Sequence, residues 1–181
     1  MIPNETVLAV PRRGRAAFSC HLLESPVGKL TLLADDSALV AVLWETERYN
    51  RNQFGPSVEA DDHPVLRNAR RQLEEYFADK RKTFDLPLHP RGTEFQLCVW
   101  AGLQDIPFGE LWSYGKLARH IGQGGAARAV GAANGRNPIP IIIPCHRVIG
   151  SDGTLVGFGG GLDVKARLIE LERGKPAGPW A

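Results

Sequence analysis

The chain has 181 residues, 43% of them apolar and 23% charged, with a formal net charge of +2. That length suits one domain or two small ones, and the composition excludes a disordered, collagenous or coiled-coil chain. The charge is unevenly placed: residues 111–150 carry Lys116, Arg119, Arg128, Arg136 and Arg147 and no Asp or Glu, a local field that favours a polyanion.

Residues 1–15 read as a loose arm with Pro3, Pro11 and the basic cluster Arg12-Arg13-Gly14-Arg15. They lack the apolar core of a signal peptide, and no run approaches the ~20 apolar residues of a membrane span. Strand-like text follows in three pieces, Phe18 to Leu23, Lys29 to Ala34 and Ala38 to Trp44, separated by turn residues at 25–28 and 35–37. This predicts an antiparallel meander. The segment from Glu45 to Ala60 has no period and reads as loop. A helix is predicted from Asp62, which can cap it, with Pro64 in its first turn. Val65, Leu66, Ala69, Leu73, Tyr76 and Phe77 recur on one face.

Residues 83–92 read as a linker between a sheet-and-helix domain over 16–82 and a second domain over 93–174, with a tail over 175–181. Thr93 and Gln96 form a capping box that opens a helix running to Leu103. Two short helices are expected next, Tyr114 to Ile121 and Ala126 to Asn134, joined across Gly122-Gln123-Gly124-Gly125. That arrangement suits a helix-turn-helix. The second of the pair has almost no side-chain bulk apart from Arg128. Tight packing on small residues and close approach of a ligand to the backbone both fit that text.

The stretch from Asn137 to Val148 carries the most chemistry. Asn137-Pro138 starts a turn, and the following isoleucines are apolar enough to be buried. Pro140 and Pro144 stop them from continuing as a central strand. The segment ends at Cys145, followed directly by His146 and Arg147. Adjacent cations lower a cysteine pKa and create the nucleophilic thiolate, although a buried structural thiol also fits. Downstream, Gly157-Phe158-Gly159-Gly160-Gly161 is a loop that can bring backbone N–H groups against a flat ligand. Asp163 is expected to cap a last helix over Val164–Glu172, with Val164, Leu168 and Leu171 inward. Glu172 lies at the helix end that disfavours a carboxylate, which points to a specific partner. Cys20, Cys98 and Cys145 form neither a disulfide framework nor a CxxC pair. Cys20-His21 with His63 or His89 is too loosely spaced for a metal site, so no metal and no cofactor are expected, in a cytoplasmic setting.

From Gly92 to Gly174 the text resembles the O6-alkylguanine-DNA alkyltransferases, of the bacterial type. The motifs are Ile143-Pro144-Cys145-His146-Arg147-Val148, Thr93-x-Phe95-Gln96-x-x-Val99-Trp100, Ser113-Tyr114-Gly115, Ala127-Arg128-Ala129-Val130-Gly131, Asn137-Pro138, and Gly160-Gly161 with Lys165. Residues 16–90 match only in outline. The resemblance implies an α/β (α+β) fold: a small ribonuclease-H-like N-terminal domain of antiparallel sheet plus helix, then a mostly helical domain with a helix-turn-helix. It also implies a single-use protein that flips a damaged guanine out of duplex DNA and takes the alkyl group onto its own cysteine.

On that resemblance Cys145 is the acceptor, and His146 is a base acting through a water, oriented by Glu172. Asn137 holds the active-site turn, and Tyr114 donates to guanine N3. The backbone carbonyls of Cys145 and Val148 accept from the guanine 2-amino group. Val148, Phe158, Gly159 and Gly160 form the base pocket, at the floor of a cleft wide enough for a purine. Ala127, Arg128, Ala129 and Gly131, with Tyr114, meet the minor groove of double-stranded alkylated DNA, and Arg128 fills the gap in the stack. A monomer that touches no membrane is implied. Gly159, where the family often has Ser, points to tolerance of bulkier alkyl groups; whether O4-alkylthymine is a substrate as well stays open at this point. The alternatives are a lesion-binding protein without transfer, a helix-turn-helix regulator, and a Cys-His hydrolase.

Overall fold

The computed structural model describes residues 18–45 and 53–174, so the expected arm over 1–15 and the tail over 175–181 lie outside the described residues. Strands β1 (Phe18–Leu23), β2 (Leu30–Ala34) and β3 (Leu39–Trp44) form the expected antiparallel meander. A fourth strand, β4 (Ser57–Glu59), runs parallel to β1 on its other side, so the sheet is mixed, in the order β3-β2-β1-β4. This corrects the wholly antiparallel sheet and, for Ser57–Glu59 alone, the reading of residues 45–60 as loop; residues 46–52 lie outside the described residues. All three β4 residues are exposed, so no buried alternation marks the strand in the sequence.

Helix α1 (Pro64–Phe77) packs on the sheet through Leu66, Ala69, Leu73 and Tyr76. His63, not Asp62, occupies its N-cap, and no side chain bonds the first turn. Pro64 has no N–H, so one of the donors that a cap would satisfy is missing already.

Strand β3 is an edge, and its outward backbone groups are covered. The Leu39 N–H donates to the Pro87 carbonyl, the His89 N–H to the Leu39 carbonyl and the Val42 N–H to the Pro138 carbonyl, each at 2.9 Å. An edge covered this way cannot recruit another strand. Residues 83–92 are pinned to α1 as well: Gln72 Nε2 donates to the Asp85 carbonyl at 2.7 Å, and the Asp85 N–H returns a bond to Gln72 Oε1 at 2.8 Å.

The second half begins with α2 (Glu94–Gln104), opened by the Thr93–Gln96 capping box with both of its bonds formed. Helices α3 (Tyr114–His120) and α4 (Ala127–Asn134) follow across a six-residue turn, residues 121–126, as the helix-turn-helix. Two short parallel strands, β5 (Trp112–Ser113) and β6 (Val148–Ile149), tie α3 to the Cys145 segment. Helix α5 (Leu162–Glu172) has Gly161 at its N-cap, and Asp163 lies exposed in its first turn. The Asp163 cap is therefore corrected, although a carboxylate there still complements the helix dipole. Its inward face is Lys165, Leu168, Ile169 and Glu172, with Val164 and Leu171 only half-buried. A stripe read from apolar residues alone comes out rotated, because two charged residues face inward.

One continuous apolar cluster joins Leu32, Leu39, Trp44 and Tyr76 to Trp100, Leu117, Val130, Ile141 and Leu168. The sheet and the helical half thus share a core, and the Cys145 segment runs along their junction.

Candidate active site

The segment leading to Cys145 is stiffened from three sides. Asn137 Nδ2 donates to the Ile143 carbonyl at 2.8 Å, and the Ile139 N–H donates to Asn137 Oδ1 at 3.0 Å. The β3 edge holds Pro138. Between them Ile141 has φ 74°, the left-handed region that a β-branched residue rarely enters, at about 1–3 kcal/mol. The turn closed by Asn137 holds that strain.

Cys145, His146 and Arg147 form one 3-10 turn and all three are buried. Behind it, Glu172 receives a dense set of donors. Its Oε1 accepts from His146 Nε2 at 2.7 Å, Tyr76 Oη at 2.8 Å and Arg147 Nη2 at 2.9 Å. Its Oε2 accepts from Arg147 Nε at 2.8 Å and from the Gly109 N–H at 3.0 Å. Gly109 is required there: its φ is 79°, and a Cβ would lie 3.0 Å from the Glu172 carbonyl oxygen. Arg147 also donates through Nη1 to the Ile106 carbonyl at 2.6 Å. The unfavourable helix-end position of Glu172 is thus matched by a guanidinium, an imidazole, a phenol and an amide.

Burial works to raise the Glu172 carboxyl, but hydrogen bonds and charge from His146 and Arg147 outweigh it and hold it well below the usual carboxylate range. Complete burial lowers the His146 pKa, against the pull of Glu172. The imidazole is therefore neutral at physiological pH. Its Nε2 faces a carboxylate, which assigns the proton to that nitrogen. Nδ1 is then an unprotonated base, and it is buried with no hydrogen-bond partner among the described residues.

Lys165, on α5, is a second cation that interacts with the cysteine. Its ammonium is buried and donates to the Val148 carbonyl at 2.6 Å and the Val156 carbonyl at 2.8 Å. Desolvation lowers its pKa, opposed by attraction to Cys145; the same attraction favours a thiolate. Tyr114 Oη donates to the Val156 carbonyl at 3.3 Å. Burial, and then the charge of Cys145, raise its pKa, so it remains a hydroxyl able to donate.

On α4, Val130 and Ala133 are buried while Arg128, Ala129 and Ala132 are exposed; Ala127 and Gly131 are half-buried. Arg128 makes no hydrogen bond or ion pair with the described residues. It borders an open groove of about 710 Å³ together with Tyr114, Ala127, Gly131 and Gly157.

The cavity at Cys145 is far smaller, about 10 Å³, and is bordered by Trp44, Asn134, Pro140, Phe158 and Gly159. Cys145 is 4% exposed. That space suits about one water, so the expected purine-wide cleft is not open with residues 157–161 in this position. Gly157 borders both the cavity and the groove, which makes this loop the partition between them. Of the expected base-pocket residues, Phe158 and Gly159 border the cavity. Val148 and Gly160 do not: Val148 is fully buried, and Gly160 packs on Trp44.

Sequence reasoning placed neither Tyr76 nor Trp44 in the site, quoted Lys165 only within a motif, and read Arg147 as a cation beside the cysteine rather than as the partner of Glu172. For Lys165 a signal existed: it shares one helical face with Leu168, Ile169 and Glu172, at spacings of three, four and seven. Tyr76 reads as one more member of an apolar stripe, and nothing local links it to a residue 96 positions away.

Comparisons with known proteins agree along the chain. Residues 19–90 match the family described as 6-O-methylguanine DNA methyltransferase, ribonuclease-like domain. Residues 94–174 match 6-O-methylguanine DNA methyltransferase, DNA binding domain. A methylated-DNA--protein-cysteine methyltransferase of Methanosarcina acetivorans is 46% identical over 151 residues, covering 83% of this chain and 96% of that relative. One of Mycolicibacterium paratuberculosis is 48% identical, covering 83% of this chain and 90% of its own length. The crystal structure of Mycobacterium tuberculosis OGT in complex with DNA superposes with a TM-score of 0.80 at 44% identity, covering 88% of this chain and 96% of that one.

Proposed function

The chain belongs to the 6-O-methylguanine DNA methyltransferase family, and from that membership we propose how its own residues carry the reaction. The protein repairs DNA by moving a methyl group directly from O6-methylguanine to a cysteine of its own. The transfer is stoichiometric, because the thioether it forms is stable and nothing regenerates the thiol.

Cys145 is the acceptor. The thiol proton passes through one water to His146 Nδ1, and Glu172 steadies the imidazolium that results. Lys165 stabilises the thiolate meanwhile. The sulfur attacks the methyl carbon, the S–C bond forms and the C–O6 bond breaks, with its electron pair left on the purine. Tyr114 donates to N3 of that purine as it becomes a leaving group. Lys165 already donates to the Val148 carbonyl, and the Val148 N–H and Asn134 Nδ2 to the Cys145 carbonyl; the guanine 2-amino group shares these two carbonyls with those donors once residues 157–161 withdraw.

The base reaches this site by extrusion. A flipped nucleotide costs a few kcal/mol, least when it is already poorly paired. Arg128 offsets part of that cost by filling the vacated stack. The small residues of α4 let its backbone approach a shallow groove closely, which favours the minor groove. The lack of base-reading side chains beside Arg128 suits a search for damage regardless of sequence. A single protomer carries the whole set of groups, so the working unit is a monomer, acting in the cytoplasm.

The observation that carries this reading is the His146 ring, with Nε2 anchored on Glu172 and Nδ1 buried and unpaired among the described residues, directly after a cysteine that borders a cavity with room for about one water. Intact mass of the protein after incubation with O6-methylguanine duplex tests it. A gain of one methyl per molecule, with guanine restored, supports the reading; unmodified protein beside an intact lesion rejects it.

A further inference from the structure

The cavity at Cys145 has walls from both halves of the fold. One wall is the glycine-rich loop, which contributes Phe158 and Gly159 and must withdraw for a purine to enter. The other wall includes Trp44, the last residue of β3, from the opposite half of the molecule. Three contacts hold it there. Val42, two residues earlier and on the same side of the strand, bonds the Pro138 carbonyl at 2.9 Å. The Trp44 indole N–H donates to the Val27 carbonyl at 3.0 Å. The residue is 4% exposed and belongs to the continuous core.

The loop packs against this ring. Phe158 meets Trp44 edge to face with centroids 5.3 Å apart. A Cβ on Gly160 would lie 2.8 Å from Trp44 Cε2, so only glycine lets the backbone approach so closely. When the loop withdraws to admit a purine, Phe158 and Gly159 leave with it, whereas Trp44 stays. Any group delivered to the sulfur must fit between Cys145, Pro140 and that indole.

We infer that Trp44 is a specificity-determining residue, which caps the size of the alkyl group the protein accepts: methyl is favoured, and a bulky arylalkyl group is disfavoured. The inference rests on the transfer reaction proposed above. It runs opposite to the expectation drawn from Gly159, because the space that a small residue at 159 would release is bounded by an indole from the other half of the fold.

The test compares single-turnover transfer from one duplex sequence carrying either O6-methylguanine or O6-benzylguanine. The readout is the benzyl-to-methyl rate ratio, which reduced folding or weaker DNA binding leaves unchanged. The wild-type ratio is expected well below one. Trp44→Ala should raise it by about tenfold or more, on the scale by which a pocket wall discriminates apolar groups. Trp44→Met keeps most of the core volume and serves if the alanine variant does not fold; it should raise the ratio in the same direction. A ratio unchanged in both variants, or a wild-type protein that transfers benzyl as fast as methyl, overturns the inference. A wild-type protein that transfers neither group overturns the proposed function instead, and the two failures are told apart by the methyl arm alone.

Discussion

The hydroxyl of Tyr76, on the helix that packs against the N-terminal sheet, donates to Glu172 Oε1 at 2.8 Å from 96 residues away, and the same oxygen holds His146. The half of the molecule without the cysteine thus contributes a donor to the carboxylate that orients the base. Tyr76 is 1% exposed, so water cannot replace it. Its pKa is pushed up by burial and then by Glu172, and it remains a donor throughout the neutral range. Tyr76→Phe removes a hydrogen bond to a charged group and should cost about 1.5–3 kcal/mol in denaturant unfolding. With one donor fewer, Glu172 holds the imidazolium more strongly, so the acid limb of the transfer rate should also move. Stability within about 0.5 kcal/mol of wild type, together with an unmoved pH profile, would show that the contact positions nothing.

Glu172→Gln should be more damaging. The Arg147 guanidinium would then lie buried against a neutral amide, and breaking a buried pair in this way costs about 3–5 kcal/mol. Urea unfolding measures it. A loss under about 1 kcal/mol would mean that the Ile106 carbonyl alone suffices to hold the arginine.

Acid should weaken the fold through the same cluster. Folded His146 has a pKa below its ordinary 6.5, and folded Glu172 lies below its ordinary 4.5. As pH falls, the unfolded forms take up protons first, so stability rises with pH and is lost on acidification. The histidine contribution goes as pH drops below 6.5, and that of Glu172 goes below 4.5. A His146→Gln variant isolates the first step: its stability difference from wild type should become less favourable to wild type between about pH 7 and pH 5. A pH-independent difference would mean that folding leaves the His146 pKa unchanged, and a difference that moves in favour of wild type on acidification would mean that folding raises it.

Arg128 separates extrusion from affinity. It is exposed and unpaired among the described residues, so its removal disturbs no internal bond. Arg128→Ala should slow transfer from a fully stacked duplex by about tenfold or more, given the few kcal/mol that extrusion costs. Binding to undamaged duplex and transfer from a single strand should fall less. Equal loss on both substrates would mark Arg128 as a phosphate contact only.

Cys145→Ser keeps the turn and removes the nucleophile. It should bind O6-methylguanine duplex with near wild-type affinity in a gel-shift assay and leave the lesion intact. Residual transfer would place the acceptor elsewhere.

Local signals carried much of the fold. The Thr93–Gln96 box, the turn glycines and the three-strand meander each act within a few residues, and each appears where the text places it. Strand β4 was not legible, because its backbone pairs with β1 while its side chains stay in water. The Cys145, His146, Glu172 and Asn137 constellation is written in motifs and reached through family resemblance. What surrounds it is written across the fold: Tyr76 and Trp44 enter from the sheet half only because β3 and α1 share a core with the Cys145 segment. The inward charges of α5 were hidden by counting apolar residues alone, since a paired lysine or glutamate can face a core as well as a leucine does.

The most direct measurement is a peptide map of the protein after one equivalent of O6-methylguanine duplex. The chain offers three thiols: Cys98 is exposed, Cys20 half-buried and Cys145 buried. If the cluster behind Cys145 activates its sulfur, the methyl is found on the peptide containing Cys145 and on no other, despite its burial. A methyl on Cys20 or Cys98, with Cys145 unmodified, would contradict the account.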